Sequence, residues 1–316
     1  MILTPELIHY AAAGLGISIA AIGAGLGLGN AGFGIQESLT RQPTGNAQNF
    51  NLAVIGLALI ESGAIIALVA TLITLFSGVP KTIEVAYAEL GIGLAVGCAA
   101  AAISISSSFV VRAAANAVAR QPLFSSKILT FMLISQSIIE APAIFAFIIG
   151  LSIRAQLSDS LTIYASIKLL AAGLVVALGC IGPSIGQAIF TRAVCTSIGL
   201  NKNVYNKLFP FALINAAMIE TPMIFCVLFA LLMSYANTQG ATFVTAMQAL
   251  AATIAMGLGS LGCAIGIGYV ASRSCYQIAL DPTVYTLLAR TTLLAVVLIE
   301  SSMIYALIIA MLLLGR

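Results

Sequence analysis

Apolar stretches long enough to cross a membrane follow one another along the whole 316-residue chain, and this restricts its fold more than any other feature. A hydrocarbon core about 30 Å thick takes about 20 apolar residues as a helix. No water reaches the backbone there, so a crossing segment satisfies its own hydrogen bonds. With 61% hydrophobic and 7% charged residues and no Trp, no segment is left to build a sizeable soluble domain. The expected class is an all-α membrane protein.

Within these stretches one charge recurs. Glu61, Glu140, Glu220 and Glu300 are separated by 79, 80 and 80 residues, in "LALIESGAIIALV", "SQSIIEAPAIFAFII", "AAMIETPMIFCVLF" and "AVVLIESSMIYALII". Each repeat holds a long small-residue-rich segment, a short polar loop, and a second apolar segment with Glu near its middle. The expectation is eight transmembrane helices as four tandem hairpins, over 1–79, 80–158, 159–238 and 239–316. The spans are placed at 8–40, 51–77, 85–119, 127–153, 162–199, 206–234, 243–279 and 285–314. An even number of helices per repeat gives all four the same orientation, unlike inverted-repeat transporters. Every Glu is therefore expected at similar depth.

Lys and Arg orient the chain. Arg41, Arg112, Arg120, Lys127, Arg192, Lys202, Lys207, Arg273 and Arg290 lie at the intra-hairpin loops, against Lys81, Arg154, Lys168 and Arg316 on the other side. This bias places the loops on the cytoplasmic or equivalent organellar side and both termini outside. The net charge of +3 is dispersed, which argues against nucleic acid. The start, MILTPELIHY, lacks the features of a signal or transit peptide, so the first span is expected to be retained. Cys98, Cys180, Cys195, Cys226, Cys263 and Cys275 show no metal-ligand spacing and read as small packing residues. His9 reads as an interfacial residue.

The first helix carries Gly23, Gly25, Gly27 and Gly29. At about 100° per residue, Gly23 and Gly27 share one face and Gly25 and Gly29 another, almost opposite. Ala102, Ser104, Ser106 and Ser108 hold these places in the second repeat. Gly182, Ser184, Gly186 and Ala188 do so in the third, and Gly262, Ala264, Gly266 and Gly268 in the fourth. Small residues let helices approach closely in lipid. A simple bundle needs one such face; two opposed faces suit a helix wedged between two of its own kind. That is the geometry of a closed ring, with these helices inside and the Glu helices outside.

An ionised carboxylate at mid-bilayer costs about 2.5–3.5 kcal/mol on insertion scales. No Lys or Arg lies near the middle of any span. The cheaper state is a neutral acid or a carboxylate neutralised by a bound cation. Four such sites without a fixed counter-charge are sites that load and unload an ion.

Two-helix units with a Gly-rich first helix, the loop "TRQP" at 40–43 and a mid-membrane Glu resemble the ring-forming proteolipid, or c-type rotor subunit, of rotary ATP synthases. "ARQP" at 119–122 repeats the loop, and "GPSIGQA" at 182–188 is similar to the first-helix signature. The chain looks like four such hairpins in series. The resemblance implies a homo-oligomeric rotor ring, with or without other proteolipids of this type, in a bacterial or organellar energy-coupling membrane. It also implies a stator membrane subunit (the a-type subunit) with an essential arginine, and a central stalk gripped by the loops. Arg41, Gln42 and Pro43, with Arg120, Gln121 and Pro122, match the stalk-contact positions; the third and fourth loops have Leu200, Asn201, Lys202 and Leu280, Asp281, Pro282 instead. By this resemblance the chain has no catalytic centre or cofactor of its own and takes part in ATP synthesis by carrying four ions per revolution.

Sodium wants several oxygen ligands, whereas a proton needs the carboxyl group and one acceptor. Sodium-type rings of this family have a first-helix Gln and a Ser or Thr after the Glu. The third repeat has both, Gln187 and Thr221; the others have Leu28 with Ser62, Ser107 with Ala141, and Ile267 with Ser301. All sites pass one stator, so the expected cargo is the proton, with sodium as the alternative. Tyr305 is a further candidate support for Glu300, or a lipid-facing aromatic. Pro142 and Pro222, two residues after their Glu, either free a carbonyl near the site or make a tolerated kink. A rival reading, a monomeric proton-coupled transporter or channel, predicts repeats that lose their Glu and a cation or broken helix in the path; the sequence offers neither.

Overall fold

The computed structural model describes residues 4–235 and 240–315; Arg316 lies outside them. The helices are α1 (Pro5–Arg41), α2 (Asn46–Phe76), α3 (Ile83–Arg120), α4 (Ser125–Ile139), α5 (Ala141–Ala155), α6 (Ile163–Gly179), α7 (Ile181–Leu200), α8 (Tyr205–Tyr235), α9 (Phe243–Leu280) and α10 (Tyr285–Leu314). Collinear pairs α4–α5 and α6–α7 each make one crossing, so eight spans are long and apolar enough for a membrane. No strand occurs among the described residues.

Two helices are interrupted, and proline accounts for both. Pro183 has no N–H for the carbonyl four residues back, and the helix breaks at Cys180. The freed Gly179 carbonyl instead accepts from Ser260 Oγ of α9 at 2.8 Å. Pro142 deprives Ile138 in the same way, and the chain tightens at Glu140, with the Ala143 amide bonding the Glu140 carbonyl at 3.1 Å. Pro222 leaves α8 continuous. The two prolines after glutamates therefore differ in effect, and the Pro183 break lies inside a span that the sequence reads as unbroken.

Each hairpin turns through a 3₁₀ segment, at Pro43–Gly45, Pro122–Phe124, Lys202–Val204 and Pro282–Val284. Loops without the Gln-Pro pair still make this turn because an Asn or Asp side chain closes it. Asn201 Oδ1 accepts from the Asn203 amide at 3.1 Å, and Asp281 Oδ1 from the Thr283 amide at 2.9 Å.

The packing follows the small residues. α1 packs on α3, α3 on α6 and α7, and these on α9, forming an inner row. The second helices form an outer row, each in the groove between two inner helices: α2 on α1 and α3, α4–α5 on α3 and its successor, α8 on α6–α7 and α9. α10 rests chiefly on α9 and is the span least buried within the chain. A Cβ on Gly23 would strike Ala101, and one on Gly27 would lie 2.5 Å from the Ser104 carbonyl oxygen. In the last interface, Cβ atoms on Gly182 and Gly268 would lie 2.5 Å from Leu261 Cα and 2.6 Å from the Gly186 carbonyl oxygen. Gly25, Gly29 and Gly262 have nothing within 4 Å of a built Cβ, and Gly266 meets only Ile299 of its own hairpin. The chain is thus an arc in which one small face is used at each internal junction and its counterparts lie open at the two ends.

One residue has a partner that the sequence does not announce. His9 is 1% exposed, and its Nδ1 lies 2.6 Å from Glu89 Oε2 in α3. The tandem repeat brings α1 and α3 side by side, so the pair meets across 80 positions; apolar periodicity in either helix gives no sign of it. Five of the six cysteines are buried and all are free, as expected of packing residues.

Candidate carboxylate sites

All four recurring glutamates lie on the second span of their hairpin, Glu140 at the break between α4 and α5. The residues just before two of them pack on the inner row. Ser104 Oγ of α3 donates to the Ile60 carbonyl at 2.8 Å, one residue before Glu61. A Cβ on Gly186 would lie 3.0 Å from Ile219, one residue before Glu220. Among the described residues, none of the four carboxylates has an ion pair.

Their surroundings follow a rule of position. The Ser62 hydroxyl of the first hairpin comes within interaction range of Glu140 in the second, and Thr221 of the third does the same for Glu300 in the fourth. In these two cases the residue after one Glu neighbours the Glu of the next hairpin. The corresponding residue before Glu220 is Ala141, which has no hydroxyl. Gln187 takes its place: Nε2 donates to Glu220 Oε1 at 3.3 Å and to the Ala216 carbonyl at 2.7 Å. Among the described residues no hairpin stands before that of Glu61. It is exposed, Glu140 and Glu300 are half-buried, and Glu220 is buried.

The remaining candidates lie as follows. Ser62 Oγ donates to the Leu59 carbonyl at 2.8 Å, Thr221 Oγ1 to that of Ala217 at 3.3 Å, and Ser301 Oγ to that of Leu298 at 2.7 Å. Tyr305 is 64% exposed and makes no hydrogen bond among the described residues. Arg41 and Arg120 end α1 and α3 at the loops, beside Gln42, Pro43, Gln121 and Pro122. Sequence reasoning missed Gln136, fully buried one turn before Glu140. Its Nε2 donates to the Gly56 carbonyl at 3.4 Å, while Oε1 has no partner. An amide inside "SQSIIE" was its only signal.

Carboxyl groups with one or two neutral oxygen or nitrogen neighbours, and no cation, can hold a proton without further help.

Comparison with known proteins agrees with this arrangement. The family model for the C subunit of ATP synthase matches four times, over residues 11–74, 90–153, 170–233 and 250–313. A relative, the ATP synthase c subunit of Syntrophobacter fumaroxidans (strain DSM 10017 / MPOB), is 41% identical over 80 residues, 25% of this chain and 89% of its own length.

Proposed function

This chain belongs to the family of ATP synthase C subunits, and from that premise we propose that it is a proton-carrying rotor subunit supplying four consecutive hairpins to the ring. Membership makes it an integral membrane component of the synthase, not itself catalytic. The finer reading rests on one observation: four carboxylates recur at one position of four hairpins, and none is paired with a cation among the described residues.

Each of Glu61, Glu140, Glu220 and Glu300 travels through lipid as the neutral acid. It gives up its proton opposite the essential arginine of the stator, whose charge offsets the cost of an ionised carboxylate. It then reloads from the other side of the membrane, and the turning ring drives the central stalk. The loops bearing Arg41, Gln42, Pro43, Arg120, Gln121 and Pro122 face that stalk on the cytoplasmic or equivalent side, with the termini opposite.

The partner that fits the open ends is a second copy of this chain. Its Gly262 face meets the Gly25–Gly29 face here, as Gly182 and Gly186 meet the fourth hairpin within the chain. Ser301 of that copy then stands to Glu61 as Ser62 stands to Glu140.

Gln187 together with Thr221 favours sodium as the second reading, but the corresponding Leu28, Ser107 and Ile267 deny the amide to the other sites. The experiment is ATP synthesis by the reconstituted synthase under an imposed proton gradient without sodium. Synthesis that persists, and is lost when all four glutamates are changed to Gln, supports the proposal. A requirement for millimolar sodium, with sodium shielding all four from carbodiimide, replaces the proton by sodium.

A further inference from the structure

Four guanidinium groups converge at the loop end of the inner row, where the ion path has no use for them. Arg41 of α1, Arg112 and Arg120 of α3, and Arg192 of α7 line a cavity of about 280 Å³ together with Asn116 and Thr196. All these residues belong to inner helices.

Its charge is only partly compensated. Glu37 pairs with Arg41 at 2.6 Å and stands 3.8 Å from Arg112. Arg120 and Arg192 have no ion pair among the described residues. Arg112 is held in place: it donates to Asn30 Oδ1 at 3.1 Å and lies over the Phe33 ring at 4.9 Å. Asn116 Oδ1 is enclosed and without a partner, so the cavity also offers one free acceptor. Arg112 and Arg192 occupy the same place in successive repeats, where the first and fourth have Phe33 and Ser272. The basic cavity is therefore specific to the middle of the arc.

The surface leading to it changes character along the helix. Ile105 and Ile185 lie seven residues before Arg112 and Arg192, on the same face, and are 36% and 39% exposed. Seven residues is about 10 Å along a helix. Arginines at the membrane boundary thus continue into an apolar strip at bilayer depth.

We infer that this cavity binds the phosphate headgroup of an anionic phospholipid, whose acyl chains lie against Ile105 and Ile185. Guanidinium forks suit phosphate oxygens, and basic pockets at this level of a membrane hold anionic headgroups. A free phosphate shares the headgroup chemistry but makes no use of the apolar strip, and neither does an acidic protein segment. The inference concerns lipid and stands whether the carboxylates carry protons or sodium.

The test is native mass spectrometry of the purified ring assembly after passage through nanodiscs of phosphatidylcholine containing a minor share of phosphatidylglycerol. The wild-type assembly is expected to retain phosphatidylglycerol well above its share. In R112Q/R192Q the retention falls about tenfold or more, two arginines being removed, and R112K/R192K restores most of it. R192Q alone, which breaks no ion pair, gives a smaller loss and guards against a folding artefact in the double variant. Equal retention by wild type and R112Q/R192Q overturns the inference. So does displacement of the lipid by millimolar inorganic phosphate, which would make this a free-anion site, or retention only when stalk subunits are present, which would make it a protein contact.

Discussion

Gln187 Nε2 stands 3.3 Å from Glu220 Oε1, bridging α7 and α8 at the one site whose preceding hairpin ends its glutamate pair in Ala141 instead of a hydroxyl residue. At Glu140 and Glu300 it is the hydroxyl residues Ser62 and Thr221 of the hairpin before that stand nearby, their own hydroxyls donating to the Leu59 and Ala217 carbonyls. A neutral hydrogen bond is worth about 0.5–1.5 kcal/mol, so freeing this carboxyl group changes its availability by about two- to tenfold. Gln187→Leu is expected to speed carbodiimide modification of Glu220 by that factor and to leave Glu61, Glu140 and Glu300 as they were. Site-resolved peptide mass spectrometry reads all four at once; a uniform change at every Glu would contradict the assignment.

The break at Cys180 makes a second test. Ser260 satisfies the Gly179 carbonyl that Pro183 leaves without a donor. Ser260→Ala therefore strands a buried acceptor, at a cost of about 1–3 kcal/mol. Pro183→Ala restores the backbone N–H and is expected to remove most of that cost, so the double variant is more heat-stable than Ser260→Ala alone. Additive effects in thermal denaturation of the solubilised protein would show that the two residues are uncoupled.

The glycines separate folding from assembly. At Gly27 a side chain meets the Ser104 carbonyl within the same chain, whereas at Gly25 it meets nothing within 4 Å. Gly27→Val is expected to reduce the yield of folded chain. Gly25→Val is expected to leave the single chain folded but unable to join a second copy, which light scattering of the detergent-solubilised particle reports as the mass of one chain. Rings of normal size from Gly25→Val would place the junction elsewhere.

Loop chemistry yields a pH effect. The Thr283 hydroxyl and amide both bond Asp281 and hold its carboxyl group below the ordinary Asp value of about 3.9. A depressed carboxylate contributes order to the fourth turn above that ordinary value and loses it as pH falls through the lower, folded one. The only aspartates are Asp159 and Asp281, so solid-state NMR of labelled Asp carboxyl carbons is assignable. The Asp281 midpoint is expected to lie below about 3.9 and to rise in Thr283→Ala.

The hairpins and the two small faces were legible because periodicity and spacing are local properties of the chain. So was the lack of a cation at the spans' centres. What escaped the sequence arises where repeats meet. His9 finds Glu89 only because α1 and α3 lie in parallel, and the four arginines gather only because three inner helices end together. The Pro183 interruption was legible in principle, since a proline inside a helix always frees one carbonyl, but Ser260 as its partner was not. The neighbour that each carboxylate faces also depends on the order of hairpins along the arc, which repeat spacing alone leaves open.

The number of carboxyl groups that exchange ions is what the account stands on. Saturating the assembled ring with carbodiimide and weighing the intact chain measures it directly. Four adducts per chain, on Glu61, Glu140, Glu220 and Glu300, are predicted, with each adduct arresting ATP-driven ion uptake. A plateau at one or two adducts, or four with transport undiminished, would contradict the claim that every hairpin carries its own ion.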